Sequence, residues 1–93
     1  MSASTDLYPA ILKLKNLDEA KRFFRDLLTL PEISEFSKRF HIAKALWKNE
    51  GSYETIARKL KVSTTTVTRV AHWLHHGEGG YRLILQQLFP KKQ

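Results

Sequence analysis

Ninety-three residues, 42% hydrophobic and 27% charged, make room for one domain and exclude disorder and low complexity. A chain this short buries too little surface to be very stable alone, so dimerisation would help. The absence of cysteine excludes disulfides, thiolate zinc sites and cysteine catalysis together, and fits a reducing compartment. The formal net charge of +7 is segregated: residues 1–54 carry nine Lys or Arg against eight Asp or Glu, and residues 55–93 seven against one. That segregation places a polyanionic partner on the second half, with binding that salt should weaken strongly.

The opening MSASTDLYPA has no basic start followed by an apolar run, and no later stretch is long enough to span a bilayer; a cytoplasmic protein with no membrane partner is expected. A first short helix is predicted from Leu7 to about Lys15, with Leu7, Ile11 and Leu14 at helical spacing and Tyr8 and Leu12 widening the apolar side. Asn16 reads as the cap of a second helix, Leu17 to about Leu28, because Asp18 and Glu19 follow in its first turn. Leu17, Ala20, Phe24, Leu27 and Leu28 share one face with Phe23 beside them, a wide apolar surface that must cover the core or embrace a second subunit. Thr29-Leu30-Pro31-Glu32 breaks the pattern and starts a longer helix to about Lys48. Ile33, Phe36, Phe40, Ala43 and Trp47 lie on one of its faces, with Ile42 and Leu46 adjoining. Asn49-Glu50-Gly51 stops it.

From Ser52 to Leu74 the sequence reads as two short helices joined by a tight turn, a helix-turn-helix. Ile56, Ala57 and Leu60, then Val67, Val70 and Leu74, recur at intervals of three or four, with Val62 in the turn. Ala57 is the small residue a steep helix crossing needs, opposite Val67. Ser63 or Thr64 can cap the second helix. Lys61 stands where glycine is common, and a left-handed conformation there costs about 1 kcal/mol. With Val67, Val70 and Leu74 inside, the same helix turns out Ser63, Thr64, Thr65, Thr68 and Arg69, with Thr66 at the margin: hydroxyls, methyls and a guanidinium without a carboxylate, a face suited to a DNA major groove. A plain helical hairpin with solvated threonines is the bland alternative, but three consecutive threonines are poor helix formers to place there without a task.

Beyond the motif, three glycines in four residues after His76 make a flexible break. A last helix is predicted at about 81–89, with Tyr81, Ile84, Leu85 and Leu88 on one face; Pro90 ends it and residues 91–93 are expected to fray. His72 and His76, four apart, with His75 nearby, could pair on a metal, but nothing apart from Glu78 completes a ligand set and no metal site is assigned. No catalytic arrangement is present: no paired carboxylates, no glycine-rich phosphate loop after a strand. The chain is therefore expected to be no enzyme.

The run SYETIARKLKVSTTTVTR, preceded by KRFHIAKALWKNEG, resembles the Trp repressor family, and within it related bacterial proteins of uncharacterised role; the resemblance covers about Leu17 to Leu88. It implies an all-α fold of about six helices, an intertwined homodimer in which 7–50 supply dimerisation helices, 52–76 the helix-turn-helix and 81–89 a C-terminal helix of a single 1–93 domain. By position it assigns Thr64, Thr65 and Thr68 to base edges, Ser63 and Thr66 to the vicinity of the backbone, and Ser52 and Tyr53 to phosphate. Arg58, Lys59 and Lys61 are electrostatic candidates. The family holds a tryptophan co-repressor between two arginines, matched here by Arg39 and Arg69. Val70 replaces the glycine that leaves room for the indole, and Trp73 replaces a small serine, so neither tryptophan nor another cofactor is expected. Trp73 either fills the slot itself and holds the reading head ready for DNA, or packs in the core. The function so implied is a dimeric, sequence-specific regulator of transcription, most simply a repressor, on a palindromic operator in double-stranded DNA. The alternative is a protein- or RNA-interaction module that uses the helix-turn-helix as scaffold.

Overall fold

A computed structural model describes residues 4–91. They form α1 (Ser4–Leu12), α2 (Leu17–Leu27), α3 (Leu30–Trp47), α4 (Tyr53–Leu60), α5 (Thr64–His76) and α6 (Gly80–Leu88), with no strand among the described residues. The all-α fold of about six helices that the resemblance implied is thus present. The chain divides into two compact units, with the boundary between Ser34 and Glu35.

In the first unit, α1 starts and ends three residues earlier than its apolar spacing suggests. Its end tightens into short-range bonds, Lys13 N–H to Ala10 O and Leu14 N–H to Ile11 O, both 3.1 Å. Asn16 caps α2 as expected, its Oδ1 accepting from the Glu19 N–H at 2.9 Å, while Glu19 Oε1 accepts from the Lys15 N–H at 3.0 Å. The start of α3 is a reciprocal clasp that the spacing alone did not reveal. Thr29 N–H donates to Glu32 Oε1 (2.8 Å) and Glu32 N–H donates to Thr29 Oγ1 (3.2 Å). These bonds hold the Glu32 carboxyl below the ordinary glutamate range. No residue of α2 is buried, and Leu12 and Leu17 are 83% and 70% exposed. Phe23 and Phe24 meet edge to face, with ring centroids 5.5 Å apart.

The second unit holds the core. Ile42, Ala43 and Ala45 of α3, Ile56 and Ala57 of α4, Val67, Val70 and Leu74 of α5, and Leu85 of α6 form one buried cluster. The expected face of α3 packs inward over most of its length: Ile42 and Ala43 are in the core with Ala45, and Phe40, Leu46 and Trp47 pack against it, whereas Phe36 is 48% exposed. α3 stops where expected, with Asn49 left-handed (φ 54°) and Glu50 N–H bonded to Ala45 O at 3.0 Å. On α6 the expected face is likewise only partly inward. Leu85 is fully buried and Tyr81 half-buried, whereas Ile84 and Leu88 are exposed.

After α6 the chain turns back onto α3. The Trp47 indole Nε1–H donates to Phe89 O at 2.9 Å, and the ammonium groups of Lys44 and Lys48 lie 4.8 and 5.3 Å from the Phe89 ring centroid. Lys91 does not fray: its Nζ lies 4.1 Å from the Trp47 ring centroid and its N–H donates to Gln86 Oε1. The fraying expected of residues 92 and 93 lies outside the described residues.

Candidate nucleic-acid interface

Each helix of the helix-turn-helix begins with the same device. Ser52 Oγ accepts from the Thr55 N–H at 3.1 Å and lies 2.9 Å from Thr55 Oγ1; Ser63 Oγ accepts from the Thr66 N–H at 3.1 Å and lies 2.9 Å from Thr66 Oγ1. Ser63, rather than Thr64, is thus the cap of α5. Between the helices Lys61 adopts the left-handed conformation (φ 58°, ψ 47°) that the sequence anticipated for a position favouring glycine. The bond from Val62 N–H to Ala57 O at 2.9 Å closes the turn.

With Val67, Val70, Ala71 and Leu74 buried, α5 exposes Thr64, Thr65, Thr68 and Arg69 beside Ser63, and Thr66 is half-buried. The hydroxyls are not equivalent. Thr66 is engaged with Ser63, and Thr68 Oγ1 donates to Thr64 O at 3.0 Å, which leaves Thr68 a methyl and an acceptor to present. Among the described residues no hydrogen bond engages the side chain of Thr64, Thr65 or Arg69, although the Thr64 carbonyl accepts from Thr68. Ser52 and Tyr53 stand exposed at the start of α4, and Arg58, Lys59 and Lys61 are exposed toward its end. The ion pairs among the described residues, Asp18 with Arg22 and Glu35 with Arg39, both lie before residue 54. Arg58, Lys59, Lys61, Arg69, Arg82 and Lys91 therefore keep their charge uncompensated.

The four residues placed at a ligand slot separate. Val70 is in the core. Trp73 is 54% exposed and outside the core cluster, which overturns the core-packing alternative for it. Its indole covers Gly77, where a Cβ would lie 3.0 Å from Trp73 Cε3, and it lines an apolar cavity of about 440 Å³ with Phe40, Tyr81 and Ile84. Arg39 pairs with Glu35 at 3.3 Å and lies 5.7 Å from the Phe36 ring centroid. Its charge still reaches Tyr81 in the cavity wall, where burial pushes the phenol up and Arg39 pulls it back down. Arg69 is exposed.

His72 and His76 approach to 5.5 Å between ring centroids, but among the described residues no group of three or more metal-ligating side chains forms. No helix of the described chain is long and apolar enough to cross a membrane. Sequence reasoning passed over Arg82, whose guanidinium bonds the carbonyls of Leu74 (3.1 Å) and His75 (3.4 Å) at the end of α5. It lies two residues past Gly80 and outside the apolar face of α6, so only the folded chain reveals it.

Residues 4–89 match the family model described as Trp repressor protein. The chain is 35% identical over 82 residues to the "Uncharacterized protein YerC" of Bacillus subtilis, covering 88% of this chain and 78% of that one. It is also similar to the solved structure of a TrpR like protein from Eubacterium eligens. That similarity has a TM-score of 0.87 and 40% identity, and covers 100% of this chain and 95% of the other. A further solved structure, from Staphylococcus aureus, aligns with a TM-score of 0.85 at 36% identity, over 100% of this chain and 93% of that chain.

Proposed function

This chain belongs to the Trp repressor family, a family of helix-turn-helix regulators and not of enzymes, and on that premise we propose that it is a dimeric, sequence-specific DNA-binding repressor that works in the cytoplasm without tryptophan. The observation that carries the proposal is the outward face of α5: Ser63, Thr64, Thr65, Thr68 and Arg69 exposed together, free of carboxylate, on a helix anchored by three buried aliphatic residues and Ala71. Thr64, Thr65 and Thr68 read base edges, Arg69 a guanine or phosphate, and Ser63, Thr66, Ser52 and Tyr53 flank the backbone. The unpaired bases of the second half supply the sequence-independent attraction.

The dimer is supported by the apolar residues of α1 and α2 that the single chain leaves exposed, Leu12 and Leu17 foremost. Two reading heads then engage half-sites about 34–36 Å apart, or a multiple of that, on a palindromic operator. Independence from tryptophan rests on Val70 and Trp73. The first fills core space where the family has glycine. The second brings its own indole to the rim of the α3–α6 cavity and holds the head in a DNA-competent pose.

Selection of bound duplexes from a random pool at physiological salt, with and without added tryptophan, tests the reading. A palindromic consensus is expected in both arms. A consensus only with tryptophan overturns the ligand-free head. No consensus in either arm overturns base reading and favours a scaffold for protein or RNA.

A further inference from the structure

A second concave site lies in the same unit, away from the α5 reading face. Arg82, Lys91 and His75 share with Tyr53 and Trp47 the wall of a cavity of about 410 Å³ between the ends of α3 and α5, the start of α4 and the C-terminal segment. None of its lining residues is a carboxylate, although Glu50 and Glu54 are sequence neighbours of three of them, Asn49, Gly51 and Tyr53. Neither Arg82 nor Lys91 has a carboxylate within ion-pair distance among the described residues. Two permanent cations in one concavity repel each other, and an anion that enters relieves that repulsion.

Both cations are held in place. The bonds from Arg82 to the Leu74 and His75 carbonyls close the open end of α5 and use two of the five guanidinium N–H groups, leaving three on a side chain that cannot swing away. Lys91 is held 4.1 Å over Trp47, an indole itself fixed by its bond to Phe89 O. Closing a helix end explains why Arg82 sits there. It does not explain why a second cation lines the same cavity with no acid among the lining residues.

We infer that this cavity binds a phosphate group, with Arg82 and Lys91 as its charged donors and the Tyr53 hydroxyl and His75 beside them. A planar guanidinium fork and an ammonium are the donors phosphate oxygens prefer. At about 30 Å³ per water, the cavity has room for a phosphate and an organic substituent, with Leu46 as an apolar wall. The phosphate belongs either to the DNA backbone beside the reading head or to a small phosphate ester. Only the first source rests on the proposed function.

The Trp47 indole N–H gives the readout. Its resonance in the ¹⁵N-labelled full chain, assigned against a Trp73→Phe variant, is followed while chloride is exchanged for inorganic phosphate at constant ionic strength. A saturable shift is expected, with half-saturation raised about tenfold in Lys91→Gln and in Arg82→Gln, the cost of one charge-assisted hydrogen bond. Lys91→Gln keeps the test valid if Arg82→Gln loosens the end of α5. A shift that does not saturate, or that both variants reproduce, overturns the site. Duplex DNA that moves the same resonance identifies the backbone as the source; duplex that binds without moving it, while a mononucleotide does, identifies a small ester. If duplex does not bind at all, the DNA reading fails and the phosphate titration still decides this one.

Discussion

Replacing Ser63 separates what the reading helix needs to fold from what it needs to bind. Ser63→Ala removes the acceptor for the Thr66 N–H, a bond of 3.1 Å, and breaks the 2.9 Å contact with the Thr66 hydroxyl. Loss of a cap costs about 1 kcal/mol. Thr66 is only half-buried, so its freed hydroxyl can turn to water and adds little. For 93 residues at about 2.1 cal/mol/K per residue, the unfolding entropy is about 0.2 kcal/mol/K, and the loss appears as a fall in Tm of about 5 °C. Ser63→Asp keeps the acceptor and places a negative charge at a helix start, worth about 0.3–1 kcal/mol in its favour, so its Tm should equal or exceed that of the wild type. Facing phosphates, the same carboxylate should weaken DNA binding at least about tenfold. Calorimetry at fixed protein concentration, since a dimer melts according to concentration, and fluorescence anisotropy with the selected duplex give the two readings. An Asp variant that melts with the Ala variant refutes the cap argument; one that binds DNA as the wild type does refutes the placement of this face against the backbone.

Thr65→Ala and Thr68→Ala should lose discrimination between the selected duplex and a scrambled one, by about 1–3 kcal/mol per misread base pair, while Lys59→Gln weakens both duplexes alike and lowers the salt slope by about 1. Equal losses on both duplexes for the threonine variants count against base reading. Tyr81 should ionise above the ordinary tyrosine range, because burial favours its neutral form. With the folded value raised, its contribution to stability is complete below about pH 10 and is lost as pH rises through the raised value. Absorbance titration against a Tyr81→Phe variant checks this, and Arg39→Gln, which removes the opposing charge, should move the Tyr81 phase further up. A Tyr81 phase that drops in Arg39→Gln would contradict the coupling.

The helix-turn-helix was legible because its information is local. Ser52, Lys61 and Ser63 mark ends that depend on neighbours three or four residues away, and the apolar intervals of α4 and α5 fix which sides go in. The faces of α3 and α6 were less legible for a different reason. Spacing identifies a stripe of apolar residues but not whether the chain itself covers it, and Phe36, Ile84 and Leu88 belong to stripes that the single chain leaves partly open. The start of α1 escaped because its apolar residues begin at Leu7, three residues inside the helix. The Trp47–Phe89 bond joins positions 42 apart in sequence, and the Arg82–Leu74 bond reaches back 8 residues across the break after α5; neither follows from a periodic face. Trp73 shows the limit from the other side: its type suggests a core, and its place beside Gly77 on a cavity rim emerges only from the fold.

From Ser63 to Ala71 the only ionisable side chain is Arg69, and the cap that starts α5 is made of two hydroxyls. A partner that touches only this stretch would therefore be selected by shape, methyl contact and hydrogen bonding around a single guanidinium, and not by a pattern of opposite charges.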